Sequence, residues 1–183
     1  MEKFQLVSLL LLWKLLQSLS FITFTNVRGI KLNGASMINK FKSALSKYPS
    51  GIACVFTKNI KNNYNAIIIN SFSSVSLKPL MVLWSLDIKS SKFIFFKKSR
   101  KQIIVLLRNK QKKLVREIAY KKNDVSQSEF KGIVKKSIFS LTCDKFKDIK
   151  AGDHFTIFLK VKKIIINSSS KPLLYYQKKV LSI

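Results

Sequence analysis

The stretch from Ile67 to Leu86, IIINSFSSVSLKPLMVLWSL, constrains this chain more than any other. Its opening run of β-branched apolar residues reads as a strand buried on both faces. Leu80 to Leu86 is apolar again and reads as a second strand, entered through a Lys78-Pro79 turn. Between the two lie Asn70, Phe72 and hydroxyls at Ser71, Ser73, Ser74 and Ser76. Small donors between two buried strands suit an anion or a polar ring, because hydroxyls and freed backbone N–H groups converge on one concave spot. The alternative is a serine-rich connection whose hydroxyls satisfy only local backbone. The residues by themselves leave both readings open.

Ile69 to Pro79 closely resembles the flavin-binding signature of the flavin reductase-like family, the FMN-binding split barrels, written T-x-N-S-F-x-S-V-S-L-x-P-P-L. Ile69 stands near the usual Thr/Val position, and Leu80 replaces the second proline. The resemblance runs in register from Ile38 to Lys178. Phe41 to Thr57, FKSALSKYPSGIACVFT, is similar to the family's F-R-x-A-L-x-x-F-P-T-G-V-x-V-V-T. Phe130-Lys131-Gly132 resembles R-F-x-G-V, and Pro172 to Tyr176 resembles the closing P-L-L-Y-F. There are departures: Val105 replaces an Asn, Lys110 an Asp, and Leu159-Lys160 a Gly-Glu.

The resemblance implies a mainly β protein, an antiparallel split β-barrel of Greek-key type with peripheral α-helices. The residues agree. Many strand-like runs joined by short turns mean an antiparallel barrel rather than a parallel α/β sheet. Met37 to Tyr48 reads as a helix N-capped by Ser36, with Ile38, Phe41, Ala44 and Leu45 on one stripe. Gly51 to Thr57 and Gln102 to Leu107 read as strands, Asn109 as the cap of a helix, and Lys121 to Gly132 as a polar loop. Ile138 to Phe146 alternates, with Phe139, Leu141 and Cys143 on one face, and Phe155 to Ile166 returns as a long strand after an Ala151–His154 turn.

The resemblance also implies an activity. It is NAD(P)H-dependent reduction of FMN or FAD, with hydride passing from nicotinamide to flavin, in a homodimer whose candidate partner is a separate flavin-dependent monooxygenase. Asn70, Ser71 and Phe72 then lie near the isoalloxazine and ribityl chain, and Ser73, Ser74 and Ser76 reach toward ribityl or phosphate oxygens. Ser90, Ser91 and Lys92 meet the flavin phosphate, which needs hydroxyls, backbone N–H groups or a cation. Their alternative is a serine N-cap with a solvated lysine. His154, in the AGDH match to the family's G-D-H, contacts ligand beside the nicotinamide, or else serves as a structural hydrogen-bonder of the turn. Tyr175 or Tyr176 closes the site or is a core aromatic.

Composition narrows the alternatives. At 183 residues the chain makes one domain of ordinary core size. Its net charge of +27 invites nucleic-acid binding. The lysines are scattered, however, and no arginine-rich helix, RNP aromatic motif or zinc spacing accompanies them, so no nucleic-acid partner is expected. The alternatives that remain are a flavin-binding module without reductase activity and a basic nucleic-acid-binding barrel. Cys54 and Cys143 are far apart, form no CxxC, and cannot complete a zinc site with one histidine. No metal is expected, and both thiols read as small buried groups in a reducing, cytoplasmic setting.

Residues 1–36 stand apart from the domain at 37–183. Leu6 to Phe24 is strongly apolar, but Lys14 interrupts it. It is borderline as a membrane span and lacks a clean cleavage site as a signal peptide. A third reading starts the working protein at Met37, and membrane contact through 1–36 stays open.

Overall fold

The computed structural model of the protein describes residues 34–120 and 124–182. Helix α1 is Gly34–Ser46, followed by β1 Ser50–Gly51, β2 Ala53–Lys58, β3 Tyr64–Ile69, β4 Ser73–Leu77 and β5 Leu80–Asp87. Then come α2 Phe93–Lys98, β6 Lys101–Leu106, a 3-10 turn Asn109–Gln111, α3 Lys112–Tyr120 and α4 Gln127–Lys135. The chain closes with β7 Phe139–Ala151, β8 His154–Ile166, β9 Leu173–Tyr176 and β10 Lys179–Ser182.

Seven strands form one antiparallel sheet in the order β3-β2-β6-β7-β8-β5-β4. Strands β6 to β8 are a meander, and β5 returns beside β8 through the connection that holds α2, which is a Greek key. The two edge strands, β3 and β4, are joined by only Asn70, Ser71 and Phe72. Such a link reaches at most about 14 Å, so the sheet must curl until its edges approach there. No ladder joins β3 to β4, and the sheet is rolled without being closed. The fold is the antiparallel split barrel expected. A second small sheet, β1-β9-β10, flanks it.

Strand β2 shows why the apolar runs are unbroken. Ala53 and Val55 join an interior cluster with Trp84, Leu86, Phe96, Ile104, Ile157 and Leu159. The alternating Cys54 and Phe56 join an outer cluster with Val105, Leu107, Val115 and Ile118, under α3. One polar pair lies in the interior and is satisfied. The Trp84 indole N–H donates to Gln102 Oε1 at 2.8 Å, and Gln102 Nε2 donates to the Phe96 carbonyl at 3.1 Å. Val105 and Leu159, two departures from the family pattern, are both fully buried core residues. Burial pushes both thiols up, Cys143 to about 12.

Several expectations are corrected. Ser73, Ser74 and Ser76, between the two apolar runs, lie in strand β4 rather than a loop, because the chain pairs with β5 before it turns at Pro79. Helix α4 occupies part of the expected loop at 121–132. Ser126 Oγ accepts from the Glu129 N–H at 3.3 Å while the Glu129 carboxylate accepts from the Ser126 N–H at 2.8 Å, a reciprocal cap. Helix α2 has Lys92 at its cap and no side-chain cap bond, so neither Ser90 nor Ser91 caps it. The N-terminal helix begins at Gly34 instead of Met37, and Phe41 and Leu45 on its stripe are exposed. The apolar run Leu6–Phe24 lies outside the described residues. Among those described, no helix is long and apolar enough to cross a membrane.

Candidate functional site

Strand β5 supports the residues singled out above. It pairs with β8 from Met81↔Lys160 to Asp87↔His154. On its other side, β4 reaches only as far as Ser73↔Leu83, with a bulge between Ser74 and Ser76. Ser71 then extends this edge with its side chain. Its Oγ accepts the Ser85 N–H at 3.0 Å and lies 3.4 Å from the Ser85 carbonyl, to which it donates. A hydroxyl that holds the link in this way leaves the preceding residue, Asn70, turned out and exposed.

Asn70 and Ser71 line a cleft of about 520 Å³ together with Ser50, Tyr48, Tyr175 and Lys178. Ser50 and Tyr175 are neighbours because β1 pairs with β9 in that register. The Ser50 Oγ is buried and has no hydrogen-bond partner among the described residues. An orphaned buried hydroxyl in a cleft wall is costly unless something completes it. Lys178 stands at the rim on the β9–β10 turn, where Gln177 and Lys178 take φ of 48° and 62°. That left-handed turn normally favours Asn or Gly, so this backbone is strained. The Gln177 N–H donates to the Ser46 carbonyl at 2.8 Å, which anchors the turn to the end of α1.

The other expected site residues divide. Phe72 turns inward and packs on the barrel interior. Ser73 and Ser74 are exposed on β4, and Ser73 Oγ donates to the Ser74 carbonyl at 3.2 Å. Ser76 is half-buried, and its Oγ accepts the Lys78 N–H at 3.2 Å. These bonds are the local kind, and none of the three lines the Asn70 cleft.

Ser90, Ser91 and Lys92 follow β5. The Ser90 N–H donates to the Asp87 carbonyl at 3.1 Å, and Ser90 Oγ accepts the Lys92 N–H at 3.2 Å. Ser91 is exposed. The Lys92 ammonium donates to the Ala66 carbonyl of β3 at 2.6 Å, and burial holds its pKa below the usual lysine value. His154 opens β8 opposite Asp87, and its Nδ1 is 2.7 Å from the Asp153 carboxylate. That hydrogen bond holds the Asp153 carboxyl below its ordinary pKa at an open surface.

The arrangement therefore brings Asn70 and Ser71 into one cleft, turns Phe72 into the barrel interior, and leaves the other candidates along β4 and around the end of β5. The sequence reading missed Ser50, Tyr48 and Lys178. Tyr48-Pro49-Ser50 lies in the segment similar to F-P-T-G, and that was the available signal. Two aromatic rings, an amide, an orphan hydroxyl and a rim cation suit a planar polar ring with an anionic tail. Among the described residues no acid lines this cleft, so the side chains that do line it offer binding and orientation.

A family model described as flavin reductase like domain matches residues 45–183. A flavin reductase of Pseudomonas putida is 24% identical over 148 residues, covering 75% of this chain and 85% of that protein. Among solved structures, the Streptomyces globisporus NADH:FAD oxidoreductase SgcE6, in complex with NAD and FAD fragments, superposes with a TM-score of 0.69. It shares 15% identity over 84% of this chain and 97% of its own. The styrene monooxygenase flavin reductase of Pseudomonas putida S12 gives a TM-score of 0.65 and 18% identity, over 77% of this chain and 95% of its own.

Proposed function

Because the chain belongs to the flavin reductase like family, and is by that membership a flavin oxidoreductase, we propose that it binds FMN or FAD in the Asn70 cleft and reduces it with NADH or NADPH. The observation that carries this reading is the exposed Asn70 amide sharing one cleft with the Tyr48 and Tyr175 rings and with Ser50, whose buried hydroxyl is unpaired among the described residues.

The residues fit the group. A cleft of about 520 Å³ lies within the usual range for cofactor pockets. Tyr48 and Tyr175 offer ring contacts. Asn70 and Ser50 offer donors and acceptors to a ring edge. Lys178 and Lys42, also in the lining, offer cations to a phosphate. Ser71 is a positioning residue that keeps Asn70 at the cleft through the Ser85 backbone. Flavin, when bound, supplies the hydride-accepting chemistry, and the protein orients it and supplies electrostatics. His154, Ser90, Ser91 and Lys92 are assigned to the nicotinamide and phosphate sides. To serve a phosphate, Lys92 must exchange the Ala66 carbonyl for it.

The working domain is taken as 37–183, with 1–36 as an extension, in the cytoplasm. It is taken to act as a homodimer, because Leu45 and Tyr48 at the cleft are 55% and 74% exposed and a second copy would cover them. A flavin-dependent monooxygenase is the proposed recipient of reduced flavin, by analogy with the styrene monooxygenase reductase.

The test is a fluorescence titration of FMN and FAD into the full chain, followed by anaerobic mixing with NADH and NADPH. Binding with accelerated bleaching by either nucleotide supports the proposal and fixes the pair. Binding without acceleration leaves a flavin carrier, and no binding at micromolar concentration rejects the reading.

A further inference from the structure

A second cleft, also of about 520 Å³, opens at the far end of β3, about 16 Å along the strand from Asn70. It is formed where the β2–β3 hairpin, the end of α2 and the start of β6 come together. Its floor is polar and ordered. Thr57 Oγ1 and Ser99 Oγ share a hydrogen bond at 2.5 Å, and they lie 3.2 Å and 2.7 Å from the Lys101 carbonyl, which accepts from whichever hydroxyl keeps its proton free.

Asn65 marks this cleft as more than a surface dent. It lines the cleft, is only 6% exposed, and its side-chain amide forms no hydrogen bond among the described residues. Its amide atoms are unpaired but not sealed from solvent, so they stay accessible to a partner in the cleft. The walls are apolar, from Ile94 and Phe95 of α2, which are 55% and 51% exposed. Four basic residues, Lys58, Lys98, Arg100 and Lys101, line the rest, and none forms an ion pair among the described residues. The nearby acids are engaged elsewhere. Asp124 is held by the Asn59 amide, and Asp144, across the ladder from Lys101, is 3.9 Å from Lys162.

An amide that both donates and accepts, an open aromatic face and a basic rim are the three parts that recognise a base, its stacking face and its phosphate. We propose that this cleft is a second binding site, which takes a nucleoside phosphate. Asn65 reads the base edge, Phe95 stacks on the base, and Lys98 and Arg100 meet the phosphate. The site is separate from the Asn70 cleft and does not depend on the flavin reading.

The test is calorimetric titration of AMP into the full chain, with and without saturating FMN. AMP should bind at about millimolar concentration or below, with an affinity that FMN leaves within about twofold. Asn65→Leu and Phe95→Ala should each weaken AMP by roughly tenfold. Phe95→Ala removes a half-exposed ring, so it serves if the buried Asn65 variant folds poorly. Lys98→Glu should weaken AMP by roughly fivefold or more, whereas Lys131→Glu, the same charge change on the exposed face of α4, should not. Adenosine and inorganic phosphate should each bind far more weakly than AMP. Displacement of AMP by FMN would overturn the proposal, as would indifference of AMP to the Phe95 and Lys98 variants or equal binding of phosphate alone.

Discussion

Strand β5 is held differently on its two sides. Toward β8 it has an unbroken ladder of seven pairs, from Met81 to Asp87. That side is pinned further by the Lys97 and Lys145 ammonium groups, which meet on Asp148 of β7, and by the Lys97 ammonium 3.9 Å over the Phe155 ring. Toward β4 it has four pairs and a bulge, and beyond them only the Ser71 hydroxyl. The first side repeats backbone bonds that any sequence can make. The second depends on particular side chains, and the candidate cleft lies there. A rigid strand thus carries a site on its adjustable edge, where one hydroxyl decides whether Asn70 faces the cleft.

Removing the support common to both sides has the largest effect. Trp84→Ala empties the fully buried indole site and leaves Gln102 Oε1 unpaired. It is expected to cost about 3–5 kcal/mol in chemical denaturation and to lose both sides of β5 together. The next two variants separate holding from binding. Asn70→Ala should raise the flavin Kd by roughly tenfold with an unchanged denaturation midpoint, because the side chain is exposed. Ser71→Ala should cost about 1 kcal/mol of stability and also weaken flavin, because it frees the Ser85 N–H and the link together.

The ladder side can be probed by pH. Burial opposes ionisation of Asp148, but hydrogen bonds from Lys97 and Lys145 and their charges outweigh it and hold the carboxyl below its ordinary range. The stability it contributes is present above the unfolded carboxylate pKa of about 3.9 and is lost as pH falls through the lower folded value. Asp148→Asn should therefore be less stable than the parent near neutral pH, with the gap closing below about pH 4, and flavin affinity should not follow it. The smallest effect belongs to Ser76→Ala, below about 0.5 kcal/mol and without change in flavin binding, since its hydroxyl only accepts the Lys78 N–H. A large loss of flavin affinity there would erase the distinction between link and edge strand.

The barrel was legible because strands buried on both faces leave unbroken apolar runs. Ile67 to Ile69 and Ala53 to Phe56 are apolar on both faces, and they lie between two core clusters. Helix α4 was not, because Ser126 to Gly132 is polar and shows the sequence only its S-x-x-E cap. The site was half legible. The serine row looked the same at Ser71 and at Ser76, and only pairing with β5 separates the one that holds the link from the one that closes a turn. Ser50 on β1 and Lys178 on the β9–β10 turn are distant in the chain, and the β1–β9 pairing of Ser50 with Tyr175 that brings these segments together leaves no local pattern.

The most direct test of this account is the rate of anaerobic FMN bleaching by NADH or NADPH, compared between the full chain, its Asn70→Ala variant and buffer. The account predicts that the parent accelerates bleaching with at least one nucleotide, and that Asn70→Ala requires roughly tenfold more FMN to reach half the parent rate. Bleaching no faster than in buffer, or an Asn70→Ala variant indistinguishable from the parent, would contradict it.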